Sequence, residues 1–285
     1  MIEYQLQPSD CIICGNNKTK TILELDFLKE YENRINLVRC SSCKLEYLNP
    51  LPAKETFKNI YNEYYYKNGY INLQTKRISQ ASSHLDKMQR LNASKPEKIN
   101  VLDIGAGTGY FLMLAKQLNY NIYGIETSDF AREYAKENFR IDSKSCLKDL
   151  PDIMYDFITF WDVLGHINNP DIYLGYCKSH LKKSGYIIIK FPNFHSCYYR
   201  FNFLLAKYMH INTIHTPTII WRFSCHSIKK YLSKFGLKVG KIETVCNKSK
   251  TKTQNWKINT IYSVIQLADQ ITNNHREIIA YARHK

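Results

Sequence analysis

From residue 99 onward, short apolar runs alternate with segments of helical period. Ile99 to Leu102 form one run, closed by Asp103 and a glycine-rich turn, and the segment YFLMLAKQL from Tyr110 reads as a helix. A second run, Asn121-Ile-Tyr-Gly-Ile-Glu126, also ends in an acid, and Ser128 is placed to cap the helix DFAREYAKENF behind it. A short, weak strand is expected around Arg140 to Ser143, and a stronger one at Asp156-Phe-Ile-Thr-Phe-Trp161. A helix from about Pro170 to Leu181, a Ser184-Gly185 turn and the strand Tyr186 to Phe191 follow. The pattern ends with a helix over 224–235, a strand over 237–245, an amphipathic helix over about 256–272 and a last strand, Glu277 to Ala282. Strands that alternate with helices in this way imply an α/β fold with a parallel sheet.

Upstream the pattern changes. Residues 52–94 read as helical: a short helix from Pro52 into Phe57, Ile60 and Tyr61, then Tyr64, Tyr65, Tyr66 and Tyr70, then a longer helix from about Leu73 to Leu91. Residues 8–50 read as a separate small module and carry two C-x-x-C pairs. Three regions are therefore expected: a small module over 1–51, a helical linker or cap over 52–95, and the α/β domain over 96–285. An aromatic and basic insertion, 194–221, interrupts that domain. No internal repeat is visible.

Composition narrows the class. The chain has 285 residues, enough for a large core, with 44% hydrophobic content but no apolar run near 18 residues, which argues against a membrane span. The first residues, MIEYQLQPSD, lack a basic, apolar targeting pattern, and nine cysteines without one point to a reducing, cytoplasmic setting. A formal net charge of +15 favours anionic partners: an anionic or nucleotide-linked small molecule, nucleic acid, or peripheral contact with an acidic membrane surface. Apart from Lys248-Ser-Lys-Thr-Lys252 the lysines are scattered, so solvated surface charge accounts for much of it.

The cysteines carry the clearest chemistry. Cys11-Ile-Ile-Cys14 and Cys40-Ser-Ser-Cys43 are two knuckles with 25 residues between them. Two intervening residues let both thiolates of a knuckle reach one tetrahedral Zn²⁺, and two knuckles complete a closed, structural Cys₄ site. A module this small needs such a staple to fold. The second constellation is Asp103-Ile-Gly105-Ala106-Gly107-Thr-Gly109, with Glu126 at the end of the next strand, 21 residues after Gly105. Glycines allow a tight turn and close approach of backbone to ligand, and an acid at the second strand end can accept from a ribose diol. The dinucleotide fingerprint G-x-G-x-x-G is not met, because the third glycine comes one residue early.

This loop resembles motif I of the class I S-adenosylmethionine (SAM) methyltransferases. The wider chain resembles the zinc-ribbon-bearing members, including bacterial sugar and small-molecule methyltransferases. Arg39-Cys-Ser-Ser-Cys-Lys-Leu-Glu-Tyr-Leu-Asn-Pro-Leu-Pro52 is similar to the ribbon's second knuckle and exit, with Lys44 in place of the usual glycine. Tyr155 to Pro170 resembles the motif IV region, and Glu277 to Arg283 the last antiparallel strand. The resemblance implies a Rossmann-like seven-stranded sheet with an N-terminal zinc ribbon. It implies cofactor contacts at Asp103, Gly105, Ala106, Gly107, Gly109, Glu126, Thr127, Cys146, Leu147 and Trp161. Asp162 and Trp161 would border the methyl centre, His166 is the candidate base, and the insertion with Tyr199 would roof the acceptor. His195, Tyr198, His210, His215, Arg200 and Arg222 are further residues of that region.

Two departures qualify the implied acceptor chemistry. Gly165 stands where many relatives carry Glu, and Ile219 stands where relatives often carry His. The expected function is SAM-dependent methylation of a small molecule, most naturally a nucleotide- or lipid-linked sugar. An RNA methyltransferase and a non-catalytic SAM-binding partner are the alternatives. Motif IV lacks N/D-P-P-Y and no Pro-Cys pair is present, which speaks against base methylation.

Overall fold

The structure, a computed structural model, describes residues 6–25, 35–52, 60–91, 98–209, 218–245 and 256–285. The N-terminal module is built from β1 (Leu6–Gln7), β2 (Thr19–Glu24), β3 (Asn36–Cys40), β4 (Glu46–Asn49) and β5 (Leu51–Pro52). Pro52 thus closes a short strand paired with Leu6, and the helix expected to start there falls outside the described residues up to Ile60. A π-helical turn (Tyr65–Tyr70) and a 3₁₀ turn (Ile71–Leu73) lead into α1 (Gln74–Leu91).

The main domain follows as β6 (Asn100–Ile104), α2 (Tyr110–Gln117), β7 (Asn121–Ile125), α3 (Asp129–Phe139), β8 (Tyr155–Trp161), α4 (Pro170–His180) and β9 (Leu181–Pro192). Then come α5 (Cys197–Met209), β10 (Trp221–Arg222), α6 (Cys225–Lys234), β11 (Leu237–Val245), α7 (Trp256–Ile271) and β12 (Glu277–His284). The central sheet has the order β11-β12-β9-β8-β6-β7. Strands β7, β6, β8 and β9 are parallel, and β12 runs antiparallel to both neighbours. Six strands are therefore described where seven were expected. The segment after α3 makes only a single bridge, Lys144 to Ile125, because its polar sequence IDSKS offers no apolar run to bury.

The sheet is covered on both faces, so its strands read as continuous apolar runs. On one face, Val101, Phe157, Ile188 and Ile279 pack with α1 and α2 side chains such as Leu85, Met88 and Leu112. On the other face, Leu102, Ile158, Ile187 and Ile189 join a cluster that continues into the N-terminal module through Tyr47, Leu45 and three of its cysteines. The N-terminal module also takes a strand from the main domain. β10 pairs antiparallel with β4, Trp221 opposite Tyr47 and Arg222 opposite Glu46, giving the sheet order β10-β4-β3-β2. Buried Trp221 adds an indole N–H to the Ile167 carbonyl at 2.9 Å. The loop after motif IV, the ribbon and the entry to α6 are thereby tied together.

Candidate active site

The loop after β6 is shaped by three left-handed glycines, Gly105 (φ +78°), Gly107 (φ +54°) and Gly109 (φ +84°). Space as well as conformation demands them. A Cβ on Gly105 would stand 2.5 Å from Val163, and one on Gly109 would stand 3.0 Å from Ala135. The Gly105 and Ala106 amides both donate to the Ile125 carbonyl, locking the loop to the end of β7.

Glu126 then grips the loop. Its two carboxylate oxygens accept from the Gly107 amide (2.8 Å) and the Ser128 amide (2.8 Å). Burial raises its pKa, and these donors oppose the rise. Arg132 holds the Glu126 carbonyl at 2.7 Å, and Thr127 lies between these anchored residues. Asp103 sits deeper. It accepts from the Thr159 hydroxyl at 2.7 Å, and burial pushes its carboxyl up to about 8. Cys146 and Leu147 lie in a turn beyond the Lys144 bridge, the Cys146 thiol donating to Asp149 at 2.8 Å and Leu147 packing on the core.

Over the loop lies a layer of tyrosines that belongs to the linker. Tyr70 places its hydroxyl 3.1 Å from the position a Gly107 Cβ would take, and stacks parallel on Tyr110. Tyr65 and Tyr66 meet edge to face, and the Arg77 guanidinium lies 4.2 Å over the Tyr70 ring. The sequence flagged the tyrosines as a cap but missed Arg77, whose buried Nε has no hydrogen-bond partner.

At the ends of β8 and β9 a second polar centre forms. Asp162 adopts a left-handed backbone (φ +59°), which aspartate tolerates better than most residues, and Lys190 reaches its carboxylate at 2.6 Å. The ammonium also lies 3.2 Å from Glu277. Burial works against the Lys190 charge, but the two acids prevail and raise its pKa. Trp161 stacks face to face on His84 of α1 at 3.9 Å. Burial and then Lys190 hold His84 down to about 3, so it is neutral. The Trp161 indole nitrogen and His84 Nδ1 are both buried without hydrogen-bond partners. Sequence reading missed Lys190 and His84. The signal for Lys190 was a single charge in the apolar run YIIIKF, and for His84 a polar residue at the core spacing of Ala81, Leu85 and Met88.

The candidate acid–base residues separate into two groups. Tyr199, half-buried on α5 beside Phe194 and Tyr198, shares the electrostatic surroundings of Asp162 and Glu277. His166 lies instead beside Tyr61, whose hydroxyl is 2.8 Å from Nδ1. The Thr218 carbonyl is 2.6 Å from the same nitrogen. A carbonyl only accepts, so Nδ1 carries the proton and Nε2 is the basic nitrogen. Arg222 is buried over the Phe194 ring, its pKa lowered to about 10 by that burial. His195 caps no helix, its amide donating to Asn193 Oδ1. His210 and His215 lie outside the described residues.

The four cysteines of the N-terminal module meet. All four Sγ atoms lie within 4.8 Å of one another, with Cys11–Cys43 at 3.3 Å and Cys14–Cys40 at 3.5 Å. Tetrahedral Zn–S bonds of about 2.3 Å would space the sulfurs by roughly 3.8 Å, so the donor set fits one Zn²⁺. Both knuckles turn through a left-handed residue directly after the second cysteine, Gly15 (φ +67°) and Lys44 (φ +65°). The Lys44 ammonium donates to the Ser41 carbonyl at 2.6 Å across the turn.

A sheet of this order, with a glycine loop after β6 and an acid after β7, defines a class I SAM-dependent methyltransferase. Residues 72–242 match the methyltransferase domain family, and the chain belongs to it. It is 28% identical over 170 residues to a ubiquinone biosynthesis O-methyltransferase of Pelagibacter ubique, covering 54% of this chain and 70% of that protein. A namesake from Rickettsia akari matches at 28% over 119 residues, 39% of this chain and 47% of that protein's length. Among solved structures, magnesium protoporphyrin IX methyltransferase from Synechocystis with bound S-adenosylhomocysteine superposes with a TM-score of 0.53. It is 15% identical and covers 82% of this chain and 100% of its own. A SAM-dependent methyltransferase from Thermotoga maritima gives 0.50 at 18% identity, with 81% and 97% covered.

Proposed function

We propose that the chain methylates a small, polar acceptor, a sugar carried on a nucleotide or lipid, and that its N-terminal module is a structural zinc ribbon. The observation that carries the acceptor reading is the polar centre beyond the strand ends. Asp162, Lys190 and Glu277 offer hydrogen-bonding charge there, and Tyr199 and Phe194 offer ring faces, a combination suited to a hydroxylated ring. Buried Arg222 supports an anionic carrier.

SAM supplies an activated methyl group, so the protein's work is chiefly positioning and exclusion of water. Gly105, Ala106, Gly107 and Gly109 form the cradle, Glu126 sets the loop and borders the ribose position, and Asp103 lies below it. The unpartnered Arg77, Thr108 and Trp161 groups fit a polar ligand lying between the loop and the tyrosine layer. Thr127, Cys146 and Leu147 flank the adenine side in this reading. Asp162 or His166 Nε2 would take a proton from an acceptor hydroxyl, and Tyr199 would orient it. Cys11, Cys14, Cys40 and Cys43 would hold Zn²⁺ away from the chemistry, as a closed tetrahedral site requires.

The test is transfer of labelled methyl from SAM into fractionated cell extract and a panel of nucleotide sugars. Label in the low-mass or lipid-carrier fraction is expected. Replacing Tyr198, Tyr199 and Arg200 together with Ala should abolish it while SAM affinity stays within about 1 kcal/mol. Label confined to RNA would overturn the reading in favour of a nucleic-acid substrate.

A further inference from the structure

Among the described residues, seven of the twelve exposed large hydrophobic residues lie on two helices that pack against each other, α5 and α7. On α7, Ile261, Val264, Leu267 and Ile271 are between 43% and 76% exposed. At 3.6 residues per turn they fall within an arc of about 120°. The other side of α7 is spoken for: Asp269 accepts from the Cys197 amide at 2.7 Å and Tyr262 donates to Asn202 at 3.0 Å, both on α5. Leu204 and Tyr208, one turn apart on α5, add a second exposed apolar row.

Charge decides what covers this face. Helix α5 contains Arg200 and Lys207 and no acid. The only acid of α7 is Asp269, and it is buried. In sequence, Lys248, Lys250, Lys252 and Lys257 stand immediately before and at the start of α7. Among the described residues the face is therefore apolar, flanked by exposed Arg200 and Lys207 and free of exposed carboxylate, on a chain of net charge +15. A second copy would bring a like-charged border against it. An anionic bilayer offers the complementary charge and an apolar interior to the same face. No helix among the described residues is long and apolar enough to cross a membrane, so the contact is with the surface.

We propose that the outer face of α5 and α7 docks peripherally on an anionic phospholipid bilayer. α5 also carries Tyr199, which shares the electrostatic surroundings of Asp162, so docking sets the acceptor side of the site against the membrane. That consequence rests on the lipid-carrier form of the proposed function, whereas the docking itself does not.

The experiment is co-sedimentation of the full chain with vesicles of phosphatidylcholine alone and with 30 mol% phosphatidylglycerol (about the anionic content that gives a clear surface potential). Binding to the anionic vesicles is expected, with little to the neutral ones. Val264→Asn with Ile271→Asn should lower the partition coefficient at least about tenfold. Leu204→Asn with Tyr208→Asn, on the other helix, should do the same and decides the matter if the first variant does not fold. Circular dichroism and SAM calorimetry on each variant report folding and cofactor binding, separating failure of docking from failure of the methyltransferase reading. Absence of wild-type binding overturns the proposal, as does binding unchanged in both variants. So does a dimer in light scattering that V264N/I271N dissociates, with no vesicle binding.

Discussion

The Lys190 ammonium, almost wholly buried, lies 2.6 Å from the Asp162 carboxylate, and the same two residues share a backbone bond from the Asp162 amide to the Lys190 carbonyl. This double tie holds a left-handed aspartate at the end of β8. With Glu277 also at 3.2 Å, the lysine sits between two acids. Removing the ammonium takes from a part-buried site the cation that Asp162 and Glu277 both face. Lys190→Met should therefore destabilise the fold by about 3 kcal/mol. Lys190→Arg should recover part of the loss. Urea unfolding of the three proteins is the check, and a stable Met variant would mean the acids find other partners.

Glu126 closes the cofactor loop rather than projecting alone from the strand. Loss of its carboxylate frees the Gly107 and Ser128 amides together. Glu126→Ala should weaken SAM binding by about 1–3 kcal/mol, measured calorimetrically. Glu126→Gln should lie between, since an amide oxygen replaces one of the two acceptors. Equal affinity in all three would remove Glu126 from the cofactor site.

The ribbon cysteines predict a stoichiometric metal. Protein purified without added zinc should carry close to one Zn²⁺ per chain by elemental analysis. Cys14→Ser should lower that content and destabilise the fold, because three of the four cysteines belong to a core cluster that continues into the main domain. A metal-free protein with the ribbon folded would refute the assignment.

Acid stability should report on Glu243. Burial alone would raise its pKa, but Lys241, Lys87 at 3.0 Å and the Tyr281 hydroxyl at 3.1 Å together hold it at about 2. A lowered folded pKa means stability that is present above the unfolded value, near 4.5, and lost as pH falls toward 2. Glu243→Gln should cost about 2 kcal/mol at pH 7 and almost nothing near pH 2. Melting curves at both values check the sign, and an equal cost at both would point to packing instead.

What the sequence made legible was what depends on local pattern. Strand β11 falls at 237–245 as its apolar spacing implied, and the glycines of the β6 loop show their conformation through residue type alone. The cysteine knuckles declare a shared centre by spacing. Contacts between distant segments were not legible. Nothing in the apolar period of α1 says that His84 stacks on Trp161, 77 positions away, or that Arg222 joins a ribbon sheet. The weak strand expected after α3 failed for the converse reason. Local propensity was marginal, and a single bridge to Ile125 was all the tertiary structure supplied.

Gly165 is the departure from the resembled family that the structure explains. Its φ is not left-handed, so conformation does not demand glycine there. Space does. A Cβ at Gly165 would stand 2.9 Å from the Trp221 carbonyl oxygen and 3.4 Å from Ile219, while its own carbonyl accepts from Ile220 at 2.8 Å. The segment that lies on Gly165 is the one that carries β10 into the ribbon. Ile219, the second departure, is buried in the same contact. The two changes are thus one packing arrangement, in which a small residue and an aliphatic one bring the 219–222 backbone close to the motif IV turn. Gly165→Ala should cost about 1–3 kcal/mol, the usual range for an inserted methyl in a packed contact that must shift backbone. Thermal melting measures that cost. Because the displaced backbone is also the ribbon's fourth strand, amide exchange at Trp221 and Arg222 should speed up in the variant while exchange in β6 and β8 stays slow. An unchanged melt with unchanged exchange would show that the 219–222 segment yields freely, and the coupling between the motif IV turn and the ribbon would fall with it.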